Sequence, residues 1–143
     1  MKQKNIYAKE LDIDLSLGRE TEYFKWFLAC LLFGKPVQQE VAKRAYLELV
    51  QEGIVSPEAI LKAGWDRLVE VLDRGHYVRY DFSTATKLLD VSKALQEKYG
   101  TLGALLKQAK TVDELSSRLQ EFKGIGPKTV EIFLRDMEPV LKK

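Results

Sequence analysis

An all-α fold is what this sequence predicts, and three observations predict it. Apolar residues recur at helical spacing through successive segments, those segments are bounded by cap, glycine and proline signals, and the single strand-like stretch has no partner to pair with. The expected architecture is a bundle of six to eight helices, with residues 1–19 as an N-terminal extended arm and residues 20–143 as one helical domain. No period of 20 to 50 residues repeats and no segment is low-complexity, so solenoids and flexible linkers are set aside.

The arm is read from Leu11-Asp12-Ile13-Asp14-Leu15-Ser16-Leu17, whose alternation would lay one apolar edge on the helical body. From Glu20 to Phe33, apolar residues occupy nearly every side of a helix, which marks it as central and buried all round. Gly34 is expected to stop it in the left-handed conformation, with Pro36 opening the next helix, roughly Val37 to Gln51, which closes at Gly53. Ser56-Pro57-Glu58 supplies a cap, a proline at the first helical position and a carboxylate at the positive end of a short helix through Leu61. After Gly64, a further turn or two through Leu68, Val71 and Leu72 leads to the aromatic and basic loop Gly75–Phe82. Ser83 is expected to cap a long helix ending near Tyr99-Gly100. Thr111-Val112-Asp113-Glu114 is a capping box opening a helix that ends near Phe122, and Pro127 begins the last helix, through about Met137.

Composition narrows the chemistry. The chain has 143 residues, enough for one hydrophobic core, and its 45% hydrophobic and 31% charged content is that of a folded globular domain rather than a disordered chain. One cysteine, Cys30, set among apolar residues, forms no intrachain disulfide, thiolate zinc cage or iron–sulfur cluster, and reads as an inert buried thiol in a reducing compartment. One histidine, His76, excludes multi-histidine metal sites. No run approaches the ~20 apolar residues of a membrane span and Met1 to Ser16 has no signal-peptide apolar region, so a cytoplasmic location is expected. The net charge of +2 is no polycation, and the whole excess falls between Thr101 and Lys143, so any basic surface must be local.

The segment with chemical content is Leu119-Gln120-Glu121-Phe122-Lys123-Gly124-Ile125-Gly126-Pro127-Lys128-Thr129-Val130. Two glycines one residue apart let the backbone reverse between two helices while Phe122 and Ile125 pin the bend to the core. The amides of Gly126, Lys128 and Thr129 then lie unpaired at a helix start, where they and the macrodipole favour a phosphate.

The order Leu119, Phe122, Gly124, Ile125, Gly126, Lys128, Thr129 resembles the helix-hairpin-helix of the endonuclease III-like DNA glycosylases, whose motif reads apolar-x-Gly-apolar-Gly-x-Lys-Thr. Phe24 to Gly34, followed by a helix through Ala42 and Tyr46, is similar to the start of that family's six-helix barrel. The Gly75-x-Tyr77 loop and the long helix after it also follow the family's order, so the likeness runs from about Glu22 to Phe133. The resemblance implies a six-helix-barrel-type bundle that binds double-stranded DNA, damaged or abasic, in base-excision repair. The hairpin residues Lys123, Gly124, Ile125, Gly126 and Thr129 would grip one strand, often with a monovalent cation on the hairpin carbonyls, and a damaged base would be flipped into a pocket between two helical halves. Lys128 matches the lysine that attacks the sugar C1′ as a free amine and forms a Schiff base, and its position near a helix's positive end is expected to disfavour its ammonium. Lys35 falls where the family places a residue probing the gap left by the base, and His76 and Tyr77 where relatives insert a wedge.

The sequence departs from the family in three places. The family's essential aspartate lies farther beyond the hairpin than the fifteen residues that follow Lys128, the four cysteines of an iron–sulfur cluster are missing, and Val130 stands where a small residue is usual. Asp136, eight residues along the same helix and so roughly 12 Å from Lys128, is a poor substitute. Each assignment has a plainer counterpart: Lys128 as a phosphate contact or solvated lysine, Lys35 as an ordinary turn lysine, Tyr77, Tyr80 and Phe82 as packed loop aromatics, Arg79 as a loop arginine, and Trp26 and Trp65 as core. The function expected is therefore a DNA-binding protein related to glycosylases and abasic-site lyases. The alternatives are a non-catalytic DNA-binding module that kept the barrel and a helical protein–protein adaptor, for which no exposed apolar stripe is evident in the sequence.

Overall fold

The computed structural model describes residues 6–141, and every regular element among them is helical. Two 3-10 turns, Ala8–Leu11 and Leu15–Leu17, precede seven helices: α1 Glu20–Phe33, α2 Gln39–Gln51, α3 Pro57–Arg74, α4 Asp81–Lys98, α5 Leu102–Gln108, α6 Val112–Gln120 and α7 Pro127–Leu141. No helix among the described residues is long and apolar enough to cross a membrane. Met1–Asn5 of the expected arm, and Lys142 and Lys143 of the basic excess, lie outside the described residues.

The all-round apolar pattern of α1 does what it predicts. Every residue from Trp26 to Phe33 is buried, and the helix touches α2, α4, α5 and α7. Phe27 meets Phe133 of α7 edge-on at 5.7 Å, and the Trp26 indole donates to the Phe133 carbonyl at 3.3 Å, so the one polar atom of this core tryptophan is satisfied. Cys30 is fully buried, and burial pushes its thiol pKa well up.

Capping signals set most boundaries. Ser56 accepts from the Ala59 amide at 3.1 Å and Thr111 from the Glu114 amide at 3.0 Å. The capping box is only half formed, because the Glu114 carboxylate turns to Arg118 one helical turn on, at 2.9 Å. Gly53, at φ 74°, closes α2 while the Ile54 amide reaches back to the Leu49 carbonyl.

Several expectations are corrected. The arm is not extended: left-handed residues at Asp12 and Gly18 fold it into two short turns, which still bury Ile6, Ala8, Leu11, Ile13 and Leu15 against the body. Gly34 is right-handed, at φ −71°, and is glycine for a different reason: a Cβ there would sit 2.2 Å from Thr129 Oγ1 of α7. Helix α2 starts at Gln39 rather than Val37; at Gly64, whose φ of 79° is not helical, α3 breaks into the two helical stretches the sequence predicts on either side of it. Helix α4 begins at Asp81, so Ser83 lies in its first turn and donates to the Tyr80 carbonyl instead of capping. Helix α5 was not expected. Thr101 caps it, and the Glu20 carboxylate from the start of α1 accepts from the Leu102 and Gly103 amides at 2.8 and 2.7 Å, a charge seated on a helix N-terminus.

Gly75 packs directly on α2, where a Cβ would lie 2.6 Å from Ala45 Cα, whereas nothing lies within 4 Å of the position a Cβ would take at Gly126. Gly75→Ala is therefore expected to cost about 1–3 kcal/mol in urea unfolding through overpacking. Gly126→Ala, read the same way, is expected to cost less than about 1 kcal/mol, the scale of a changed cap. Equal losses at the two sites would contradict this packing.

Candidate nucleic-acid interface

The glycine turn is built by its two buried side chains. Phe122 and Ile125 both sink into the core, the Phe122 ring lying 6.2 Å from that of Tyr99. Between them the Ile125 amide donates to the Phe122 carbonyl at 3.1 Å, and Gly124 takes φ 91°, which a residue with a Cβ rarely adopts. The first bond of α7 then runs from the Val130 amide to the Gly126 carbonyl. The amides of Gly126, Lys128 and Thr129 have no intramolecular acceptor among the described residues, as expected of a helix start without a side-chain cap. Lys123 and Lys128 stand exposed on either side, so the covered Ile125 sits beneath an open, basic rim.

Three other segments converge on this turn. Thr129 is buried against Gly34, which brings the end of α1, and with it Lys35, beside the start of α7. The Lys87 side chain of α4 runs beside Gly124, its Cγ and Cε each 3.3 Å from where a Cβ would stand, and the glycine is set by its φ. Lys35 in turn lies over the Tyr80 ring at 5.4 Å, and Arg79 lies at 5.6 Å from the same ring. None of Lys35, Lys87, Lys123 and Lys128 forms an ion pair among the described residues, whereas Arg67 and Arg74 are paired with Glu52 and Glu70 at the α2–α3 contact.

The site residues read from the sequence divide by where the structure puts them. Lys123, Gly124, Gly126, Lys128 and Lys35 belong to this face. Thr129 offers only its amide, because its side chain fills the space beside Gly34. Tyr77 is corrected from a surface wedge: it is 1% exposed, and its hydroxyl donates to the Leu32 carbonyl at 2.7 Å, tying the loop to the end of α1. His76 is exposed and left-handed at φ 67°, the residue on which α3 stops, with the Tyr77 amide returning to Leu72 and the His76 amide to Asp73. Trp65, read as core, is 38% exposed; it leans on the 61%-exposed Phe82 at 5.0 Å and donates to Thr86. Asp136 gives one oxygen to the Ala8 amide at 2.7 Å and the other to Arg135 at 2.8 Å, so it secures the arm. The cavity touching Lys128, shared with Gln39, Glu131, Ile132 and Arg135, holds about 90 Å³, well below ordinary ligand pockets. A larger one, about 580 Å³, opens under the arm beside Asp12, Asp14 and Arg135.

Lys87 is the residue that sequence reading missed. It lies at the edge of the α4 face formed by Thr84, Leu88 and Val91, a position visible from helical spacing, but nothing local shows that Gly124 comes to meet it. Half-burial and, secondarily, the Lys35 charge lower its pKa from 10.5 to about 8. Comparison with protein-family models, with curated proteins and with solved structures finds no match for this chain.

The lowered pKa has a direction in stability. Between about pH 8 and 10.5 the unfolded chain holds the Lys87 proton more tightly than the folded one, so this group's penalty is complete below pH 8 and is relieved as pH rises through that window. Lys87→Met, which keeps the stem and removes the charge, is expected to raise the midpoint of urea unfolding at pH 7 and to lose that advantage by pH 10.5. A variant less stable than wild type at pH 7 would show that the ammonium supports the fold.

Proposed function

We propose that this chain is a DNA-binding protein of helix-hairpin-helix type, with α6, the glycine turn and α7 as the hairpin unit of a six-helix-barrel-like bundle. It holds the phosphate backbone of duplex DNA at residues 123–129. The observation that carries the reading is the turn itself. Backbone amides without acceptors open a helix, and exposed Lys123 and Lys128 flank them with no carboxylate paired to either. Such a group recognises a phosphate by hydrogen bonds and charge and is indifferent to base sequence. The carbonyls of Lys123, Gly124 and Ile125 accept no intramolecular bond among the described residues, an all-oxygen donor set suited to a hard monovalent cation shared with the strand.

Of the catalytic and non-catalytic forms of this reading, two observations favour the non-catalytic one. Asp136, the aspartate of α7, is consumed by the arm, and the 90 Å³ cavity at Lys128 does not accommodate a flipped base. Lys128 then serves as a phosphate contact.

Binding of a fluorescent duplex, followed by anisotropy across salt concentrations, tests the reading. Affinity is expected to fall steeply with salt, with a log–log slope of about −0.9 per phosphate neutralised. Lys128→Ala is expected to make that slope shallower by about one such unit. No salt-dependent binding would defeat the reading. Borohydride trapping on abasic DNA distinguishes the two forms: a covalent adduct lost in Lys128→Ala would restore the lyase, and its absence with binding intact is expected.

A further inference from the structure

Five of the six phenylalanines are buried, but Phe82 in the first turn of α4 stands in solvent, and Trp65 stands beside it with the ring centroids 5.0 Å apart. The pair is held in place. Phe82 and Thr86 lie one turn apart on α4 and so share a face, and the Trp65 indole donates to the Thr86 hydroxyl at 3.1 Å. That bond satisfies the one polar atom of the indole and pins the ring across α3 and α4. Two large rings kept at a fixed spacing in water form a patch that a partner would cover.

The charges around the rings point to the kind of partner. Arg79 and Lys35 both lie over the Tyr80 ring, at 5.6 and 5.4 Å, two residues before Phe82, and neither forms an ion pair among the described residues. Asp81, between Tyr80 and Phe82, turns back onto the helix start, where it accepts from the Phe82 amide at 2.7 Å. The same loop is tied to the end of α1 by the Tyr77 hydroxyl on the Leu32 carbonyl at 2.7 Å, and Gly34, two residues on, is where Thr129 of the glycine turn packs. Rings, cations and turn therefore follow one another along connected elements. A nucleobase offers two flat faces to stack on such rings and carries a phosphate on either side for the cations.

We infer that Trp65 and Phe82 form a stacking platform for an unpaired base of a DNA strand, with Arg79 and Lys35 meeting the phosphates that flank it. This rests on the DNA-binding reading and deepens it: the turn holds paired DNA whatever its sequence, and the platform selects DNA in which a base is already free, as in a single-stranded tail.

The test compares a blunt duplex with the same duplex carrying a single-stranded thymine tail, by anisotropy and by tryptophan emission. Wild type is expected to bind the tailed duplex at least about fivefold more tightly, with quenching that reports Trp65 because Trp26 is fully buried. Phe82→Leu keeps the apolar bulk and removes the aromatic face, so it is expected to lose the preference and leave blunt-duplex affinity unchanged. Trp65→Phe, which retains a ring, is expected to keep most of the preference, and Lys128→Ala to weaken both duplexes alike. Equal affinity of wild type for the two duplexes, or a preference that survives Phe82→Leu, would overturn the platform and leave the DNA reading standing. Quenching by a thymine strand alone, with no duplex bound, would support the platform and defeat the turn reading; no binding of any of these would defeat both. A dimer of the free protein that Phe82→Ser dissociates would assign the rings to a second copy of the chain and overturn the platform as well.

Discussion

The contact between Gly34 and Thr129 sets the geometry on which the rest depends. A helix that is apolar on all sides must be surrounded, and α1 is surrounded by α2, α4, α5 and α7. For α7 to come that close where its first turn meets the last turn of α1, one side of the contact must have no side chain, because Thr129 Oγ1 occupies the place a Cβ would take. Once the two ends are joined in this way, the preceding turn is fixed by Phe122 and Ile125, and Lys35, next in sequence to Gly34, is delivered to the same face. The Gly75 contact with Ala45 does comparable work for α2 and α3. Both are cases in which glycine is required by a neighbour and not by its own φ.

How much of this could be read in the sequence follows from that distinction. Signals that act within a few residues were legible: the Ser56 and Thr111 caps, the proline starts of α3 and α7, the Gly53 stop, and the burial of Phe122 and Ile125 around the turn. Signals whose meaning depends on a distant segment were not. Gly34 resembled a left-handed stop because the residue it accommodates is ninety-five positions away. Tyr77 resembled a surface wedge because its partner, the Leu32 carbonyl, belongs to the central helix. Helix α5 is hard to read in the sequence because seven residues carry little periodicity and two of its three N-terminal side-chain bonds come from Glu20. Of the candidate site, the course of the turn and the burial of Phe122 and Ile125 are legible in the sequence, whereas the nearness of Lys35 and Lys87 to it depends on distant packing that the sequence does not show.

Charge is distributed in keeping with this division of labour. Where helices merely need to be held together, as between α2 and α3, arginines and glutamates pair, and the N-terminal arm is tied down by Arg135 and Asp136 through the Ile6 carbonyl and the Ala8 amide. Around the glycine turn the lysines have no such partners, and one of them is pushed to about 8 by burial and a like charge. The lowered pKa means that burying this ammonium opposes the fold rather than supporting it. Under the proposed function, an anionic strand would supply the missing counter-charge, and bare amides at a helix start would give it direction.

The most direct measurement is the backbone amide spectrum of the ¹⁵N-labelled chain during titration with a short duplex at low salt. Binding through the turn predicts that the amides of Gly124, Gly126, Lys128 and Thr129 shift first and furthest, and that these shifts are reversed by added salt. Unchanged turn amides, with the perturbation confined to the arm or to the Trp65–Phe82 surface, would contradict it.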